Sequence, residues 1–284
     1  MSSTYEHPRT FSAPLRYVPG APMNTPGRSR QGLEGELAAA YLLGLADDAL
    51  VYAQRLGEWV SRSPQVEEDM ALGNVALDLI GQARRLYTRA GELDGTGRCE
   101  DDYAMLRDER EFRNVHLVEQ PRGDFGREMV RMLWFATYQH ELYTRLAAST
   151  DQTLAGIAAK AVKEAAYHVT HAATWVVRLG DGTTESHERA QLALWWVAPY
   201  VGELFTDDEI SIAAADSGLG TLPSALLAPV RARIGAVLGE ATLEPPAAPT
   251  WSSAGGRRGV HSEAMGYLLA ELQHVARSHP GATW

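Results

Sequence analysis

Acidic and imidazole side chains at helical spacing are the first candidates for chemistry in this sequence. Glu271 and His274 lie three residues apart, whereas Glu164 and His168 lie four residues apart, with His171 following three residues later. Residues at these spacings share one face of an α-helix, so a Glu and a His can ligate the same metal ion. The pattern raises the hypothesis of a metal site between helices, with Glu164 and His168 among the ligands.

Both pairs also have a simpler interpretation. Glu271–His274 is the one Glu-x-x-His in the sequence, which is about the number expected by chance, and it fits an exposed helix. Glu164 follows Lys160 by one turn, a spacing typical of surface ion pairs. His168 would then be a core histidine that is hydrogen-bonded across the helices, for example to Gln82.

A glycine-rich basic segment, residues 255–259, is the second candidate. It contains Arg257 and Arg258, and the planar fork of arginine can bind two phosphate oxygens at once. The segment lacks the Lys-Ser/Thr pair of a phosphate-binding P-loop. A solvent loop or a contact between subunits is the alternative. The single cysteine, Cys99, excludes an intrachain disulfide and any cysteine-based metal cluster.

Composition narrows the functional class. The 284 residues contain 26 Lys and Arg against 36 Asp and Glu, a formal charge of −10, which argues against a nucleic-acid partner. Residues 1–32 are rich in proline and lack the apolar run of a signal peptide. We expect them to form a disordered leader, followed by one domain over residues 33–284. No apolar run is long enough to span a membrane, so the expected location is the cytoplasm.

Helical periodicity dominates from residue 33 onward, and alternation with a period of two is nowhere sustained. Four long helices are predicted over residues 33–61, 64–90, 124–148 and 151–179. Shorter helices are predicted near residues 100–106, 184–205, 223–238 and 262–277, and a loop over 206–222. This order predicts an all-α fold, a four-helix bundle of ferritin-like type with additional C-terminal helices.

The inward stripe of each long helix can be traced by alternating steps of three and four residues. The four stripes are mostly apolar. They comprise Leu42, Leu45, Ala49, Tyr52, Leu56 and Trp59; Leu72, Val75, Leu79, Gln82 and Leu86; Met129, Met132, Ala136, either Gln139 or His140, and Tyr143; and Ala158, Ala161, Ala165, His168, Ala172, Trp175 and Leu179.

Several segments, in the same order, resemble the C-subunit family of phenylacetyl-CoA 1,2-epoxidase. They are DDAL (47–50), QRLGEW (54–59), ALDLIGQAR (76–84), RDEREFRN (107–114), KEAAYH (163–168), VRLGDGT (177–183), GGRRGVHSE (255–263) and PGATW (280–284). The resemblance covers about residue 35 to the end. It implies a ferritin-like subunit of a multicomponent oxygenase that epoxidises the ring of phenylacetyl-CoA during phenylacetate degradation. In that complex a homologous A subunit holds the two irons, and a reductase delivers electrons.

The resemblance also allows the ligand pattern of the A subunit to be placed on this chain. Its six positions fall at Ala49, Leu79, Gln82, Ala136, Ala165 and His168, of which only His168 retains a ligand type. Buried carboxylates repel one another and pay desolvation unless cations neutralise them. We therefore expect a degenerate site without metal or catalytic residues. Gln82, His168, Asp78 and Asp48 are the candidates for polar residues that fill it.

The favoured hypothesis is thus a non-catalytic subunit that scaffolds the di-iron A subunit, with iron only in that partner. Arg257 and Arg258 are candidates for contacts with the phosphates of CoA. One alternative is an independent ferritin-like metalloenzyme that uses His168 and Glu164. Another is a helical interaction protein with a different partner.

Overall fold

The computed structural model of the chain describes the backbone of residues 30–282 and the side chains of residues 34–282. Within this range the chain forms ten α-helices and no β-strand, so the predicted all-α class is confirmed. The helices are α1 (Arg30–Gly57), α2 (Val66–Leu93), α3 (Glu100–Met105), α4 (His116–Glu119), α5 (Phe125–Leu146), α6 (Gln152–Gly180), α7 (Thr184–Val201), α8 (Glu209–Asp216), α9 (Leu227–Glu240) and α10 (Glu263–Ser278).

The four long helices α1, α2, α5 and α6 form the bundle. α1 packs along α2, α5 packs along α6, and contacts between α2 and α6 join the two pairs. The traced stripes are buried in this core, with the exception of Trp175 and Leu179, which are partly exposed. In α5 the stripe continues through Gln139, which is buried, and His140 lies at the edge. The bundle with additional C-terminal helices is thus the predicted ferritin-like arrangement.

Local sequence signals explain where the long helices begin. The carboxylate of Asp124 accepts a hydrogen bond from the amide of Arg127, and that of Asp151 accepts one from the amide of Leu154. Each side chain satisfies an amide that has no partner within its helix. These caps fix the residues at which α5 and α6 begin. The starting points in turn set which residues of both helices face the core of the bundle.

Two short helices lie where the sequence predicted irregular chain. The predicted loop over 206–222 contains α8, which Asp208 caps by accepting a hydrogen bond of 2.7 Å from the amide of Ser211. α4 lies between α3 and α5. Both helices are too short for a full period of apolar residues, which is why periodicity missed them.

The N-terminal segment can be compared with the prediction only in part. The predicted leader, residues 1–32, falls almost entirely outside the described residues, and α1 begins at Arg30. Among the described helices, none combines the length and apolar character that a membrane crossing requires.

Candidate functional site

The six positions on which the sequence resemblance places the ligand pattern of the A subunit lie in the core of the bundle. Ala49, Leu79, Ala136 and Ala165 are buried, as are Gln82 and His168. Four of the six carry only methyl or isobutyl groups, which cannot coordinate a cation. The chemistry of this region therefore depends on Gln82, His168 and the polar residues that they contact.

Gln82 belongs to a short chain of polar contacts that runs from the core to the surface. Gln139 donates its amide to the side-chain oxygen of Gln82 at 3.4 Å, and Gln82 donates to Glu164 at 3.0 Å. Glu164 also pairs with Lys160, whose Nζ lies 2.7 Å from its carboxylate. The predicted pair of Glu164 and Lys160 is thus present, but Glu164 is mostly buried rather than a surface residue. Its charge is neutralised by the lysine.

His168 contacts a different partner from the one that the sequence predicted. Its Nε2 lies 3.1 Å from the carboxylate of Asp78, not against Gln82. Burial lowers the pKa of His168, and the hydrogen bond and charge of Asp78 oppose this effect only in part. His168 is consequently a core histidine whose neutral form is favoured by burial and whose ring faces a partly exposed carboxylate.

His171 lies one turn further along α6 and faces Glu68 at the start of α2. Its Nε2 is 3.2 Å from the Glu68 carboxylate, yet neither atom forms a well-aligned hydrogen bond. Burial is the main cause that lowers the pKa of His171. His168 and His171 therefore point to different carboxylates and do not share a ligand position.

This donor set does not fit a di-iron centre. Such a centre needs four carboxylates and two imidazoles directed at one point, whereas Glu164 and His168 are each occupied by a separate partner. Across residues 34–282 no three His, Cys, Asp or Glu side chains are grouped as a metal ion would require. The residues of this core can pack and form hydrogen bonds with one another.

A group of buried charged residues lies on one flank of α1. Asp48 is buried and accepts a hydrogen bond of 2.6 Å from Arg257 and one of 2.9 Å from the amide of Val115. Burial raises the pKa of Asp48 to about 6, although the charge of Arg257 opposes this shift. Asp48 therefore does not join the polar core residues, as the sequence had suggested, but faces the C-terminal segment.

Asp47 forms a second buried ion pair beside the first. Its carboxylate pairs with Arg107, accepts a hydrogen bond of 2.6 Å from the hydroxyl of Tyr87 and accepts one of 2.7 Å from the amide of Arg113. Arg107 also stands over the ring of Phe112 at 4.1 Å. Every oxygen of this carboxylate is satisfied, as a buried charge requires. Asp47 thereby attaches the segment before α4 to α1.

Two histidine–carboxylate pairs then fasten the glycine-rich segment and the start of α10. Glu203 accepts from the amides of His116 and Gly256 at 2.8 Å each. Glu119 accepts from Nδ1 of His261 at 2.7 Å, while Nε2 of the same ring faces the carbonyl of Phe112 at 3.0 Å. Both ring nitrogens of His261 face acceptors, so the geometry suits an imidazolium. Burial alone would lower the pKa of His261, but the hydrogen bond and charge of Glu119 outweigh it and raise the pKa.

The glycine-rich segment is therefore not a solvent loop, since Gly256 and Gly259 are buried. Arg257 points inward, and its remaining contacts are the carbonyls of Gly44 and Arg113 at 2.8 and 2.9 Å. Arg258 is exposed and lines a cleft of about 380 Å³ between this segment and the start of α8. The walls of the cleft also carry Arg113, Glu203, Asp207, Asp208 and Glu209.

Comparisons with known proteins agree with this arrangement. Residues 28–284 match the family model described as "Phenylacetic acid catabolic protein". The chain belongs to this family. It is also similar to the C subunit of 1,2-phenylacetyl-CoA epoxidase from Escherichia coli (strain K12). The two are 44% identical over 245 residues, which are 86% of this chain and 98% of that protein. The resemblance found in the sequence is thereby confirmed.

The sequence did not reveal the charged flank of α1. Asp47 and Asp48 lie beside the traced stripe and not on it, so the stripe gave no reason to bury them. The two acids are adjacent in a part of α1 that is otherwise apolar from residue 41 to residue 53. Two neighbouring carboxylates in such a stretch need cations from elsewhere in the chain, and this signal could have identified them.

Proposed function

We propose that this chain is the C subunit of a phenylacetyl-CoA epoxidase complex and acts there in phenylacetate degradation. The similarity to the Escherichia coli protein supports this function, since it extends over nearly the whole length of both chains. The family model matches from residue 28 to the end. The proposal requires partner subunits, because a subunit of such a complex does not complete the reaction alone.

Within that complex we infer a scaffolding role without chemistry of its own. The observation that supports this inference is that the positions on which the resemblance places ligands of the A subunit carry buried apolar side chains in four of six cases, namely Ala49, Leu79, Ala136 and Ala165. Four facing carboxylates would destabilise the bundle by several kcal/mol each without a cation, whereas alanine and leucine pack at no such cost. The proposed partner is the homologous A subunit, which would hold the iron, and a reductase subunit would supply it with electrons.

The test is reconstitution with purified subunits. Iron content and epoxidation of phenylacetyl-CoA are measured for the A subunit with the reductase, in the presence and absence of this chain. The expected result is iron in the A subunit, no stoichiometric iron in this chain, and turnover that depends on adding it. Two tightly bound irons in this chain, together with turnover in the absence of the A subunit, would refute the scaffolding role. This result would favour the metalloenzyme alternative, although the observed contacts of Glu164 and His168 do not favour it.

A contact with the phosphates of CoA is a separate part of the proposal. Arg257 has its guanidinium directed to Asp48, so Arg258 is the arginine of the segment that remains accessible. Arg258→Ala should weaken binding of a CoA ester to the complex, because one phosphate contact is lost. Arg231→Ala, which replaces an exposed arginine on α9, is the matched control. Equal affinity for both variants would remove Arg258 from the substrate site and leave the scaffolding proposal intact.

A further inference from the structure

The outer face of α2 carries an apolar stripe that the rest of the described chain leaves uncovered. Val66, Met70 and Leu77 are 65%, 66% and 65% exposed, and Ile80 is 38% exposed. Gly73 completes the stripe, which advances in steps of four, three, four and three residues. At 3.6 residues per turn these positions lie within an arc of about 80°, on the side of α2 opposite its core-facing residues.

The spacing identifies the kind of partner that would cover this stripe. Alternating steps of four and three residues form the heptad seam by which one α-helix packs against another. Single exposed apolar residues are common and need no explanation, but here four of them and a glycine form one row. Extended to Arg84, the row is about 27 Å long. Its complement is therefore another helix, and Gly73 allows that helix to approach closely.

The row is complementary to itself when two copies run antiparallel. If a twofold axis passes beside residue 75, Gly73 of one copy lies opposite Leu77 of the other, and Met70 lies opposite Ile80. Each large side chain thus meets a small or flexible one, as knobs-into-holes packing requires. Val66 would lie against the aliphatic part of Arg84, because the methylene groups of long basic side chains can cover apolar surface.

The charges along α2 favour the same orientation. Its first turn is acidic, and Glu67 there is exposed, whereas Arg84 and Arg85 near its other end are exposed. Arg84 pairs with Glu100 of its own chain at 2.6 Å. Arg85 and Glu67 form no ion pair within the described residues. An antiparallel pair brings Glu67 of one copy near Arg84 and Arg85 of the other, while a parallel pair would place like charges together.

We propose that a second copy of this chain docks on this row, with α2 packed antiparallel against α2 about a twofold axis near residue 75. Such an interface is isologous, because the same patch serves both subunits. The inference uses only residues of this chain and does not depend on the proposed function.

The first test is the mass of the isolated full-length chain in solution, measured by light scattering after size-exclusion chromatography. The expected result is a dimer for the natural chain and a monomer for Leu77→Arg, since the row would then bury two unpaired charges beside the axis. Leu192→Arg, which replaces a comparably exposed leucine on α7, should remain dimeric. Thermal melts of both variants establish that each is folded. A monomeric natural chain, or a folded Leu77→Arg dimer, would overturn the proposal.

The second test locates the axis by cross-linking and needs no disruptive substitution. Exposed Cys99 is replaced by serine, and Asn74→Cys or Thr88→Cys is added on the exposed side of α2. Cysteines at residue 74 would lie beside the axis and should be joined by a short bismaleimide. Those at residue 88 would be separated by about 39 Å along the helices and should not react with each other. Equal cross-linking at both positions would exclude the antiparallel arrangement.

Discussion

Arg257 donates a hydrogen bond of 2.6 Å to Asp48, a residue that precedes it by 209 positions in the chain. The pair joins the glycine-rich segment to the middle of α1. The backbone carbonyls of Gly44 and Arg113 accept further hydrogen bonds from the same guanidinium, and the amide of Val115 donates to Asp48. Arg257 thus holds three separate parts of the chain together, which assigns it a structural role.

Replacing this arginine should therefore destabilise the fold. Arg257→Ala leaves Asp48 buried without its cation, and removal of one partner from a buried pair costs about 3–5 kcal/mol. Urea unfolding followed by circular dichroism measures the loss. Arg258→Ala is the control, because Arg258 is exposed and should change the stability by no more than about 0.5 kcal/mol. Similar losses in the two variants would contradict the assignment.

Gly259 gives a second prediction about the same segment. Its φ is +74°, and a Cβ built on it would collide with the carbonyl oxygen of Arg110. Gly259→Ala should cost at least about 1–3 kcal/mol through the left-handed conformation alone, and the segment should become sensitive to limited proteolysis. Gly235→Ala, in the interior of α9 with open space around its Cα, should instead stabilise the chain by about 0.5–1 kcal/mol. An unchanged proteolysis pattern in Gly259→Ala would show that the segment tolerates the added methyl group.

His261 should make the stability depend on pH. Its pKa is raised in the fold because the bond to Glu119 outweighs burial; His116 is the neighbouring titratable group that opposes the shift. A raised pKa means that the folded chain binds the proton more tightly than the unfolded chain. The contribution of protonated His261 to the free energy of unfolding is therefore complete below the pKa of the unfolded chain, about 6.5. It is lost as the pH rises through the pKa of the folded chain.

The measurement is a series of urea unfolding curves from about pH 6 to about pH 9, on either side of the expected loss, for the natural chain and for His261→Gln. The difference in unfolding free energy between the two should be largest at the acid end and should shrink as the pH rises. A difference that stays constant over this range would show that His261 is not protonated in the fold.

The core positions give a fourth prediction. Leu79→Glu introduces a carboxylate at a fully buried position on which the resemblance places a ligand of the A subunit. Without cationic or hydrogen-bonding partners this substitution should cost several kcal/mol, a large part of a typical stability of about 5–15 kcal/mol. Leu192→Glu, on the exposed side of α7, is the control and should be nearly neutral. Thermal unfolding measures both, and a Leu79→Glu variant as stable as the control would mean that the core still accommodates a carboxylate.

The helical core could be predicted from the sequence because its signal is periodic. The stripes through Leu42, Leu79, Ala136 and Ala165 follow helical spacing over several turns, and the structure buries them. The predicted starts of the helices over 124–148 and 151–179 agree with the structure for a related reason, since the N-caps there, Asp124 and Asp151, are local signals. Both kinds of inference use only residues that are near one another in the chain.

The charged flank could not be predicted in this way because its pairs are distant in sequence. Asp47 meets Arg107 across 60 positions, and Glu119 meets His261 across 142. No local spacing identifies which arginine or histidine will serve a given carboxylate. The same reason explains why the sequence predicted the wrong partner for His168. Asp78 and Gln82 are one turn apart on α2, so the rotation of α2 about its axis determines which of them contacts the histidine.

The pairing of Asp48 with Arg257 also affects how the chain emerges from the ribosome. Synthesis proceeds at about 5–20 residues per second, so Arg257 is synthesised roughly 10–40 s after Asp48. During that interval the flank of α1 that carries Asp48 lacks its partner segment, and the apolar surface of α1 remains accessible to chaperones. Nascent chains halted before residue 257 should therefore remain bound to such factors, whereas those halted after the final helix has left the exit tunnel should be released.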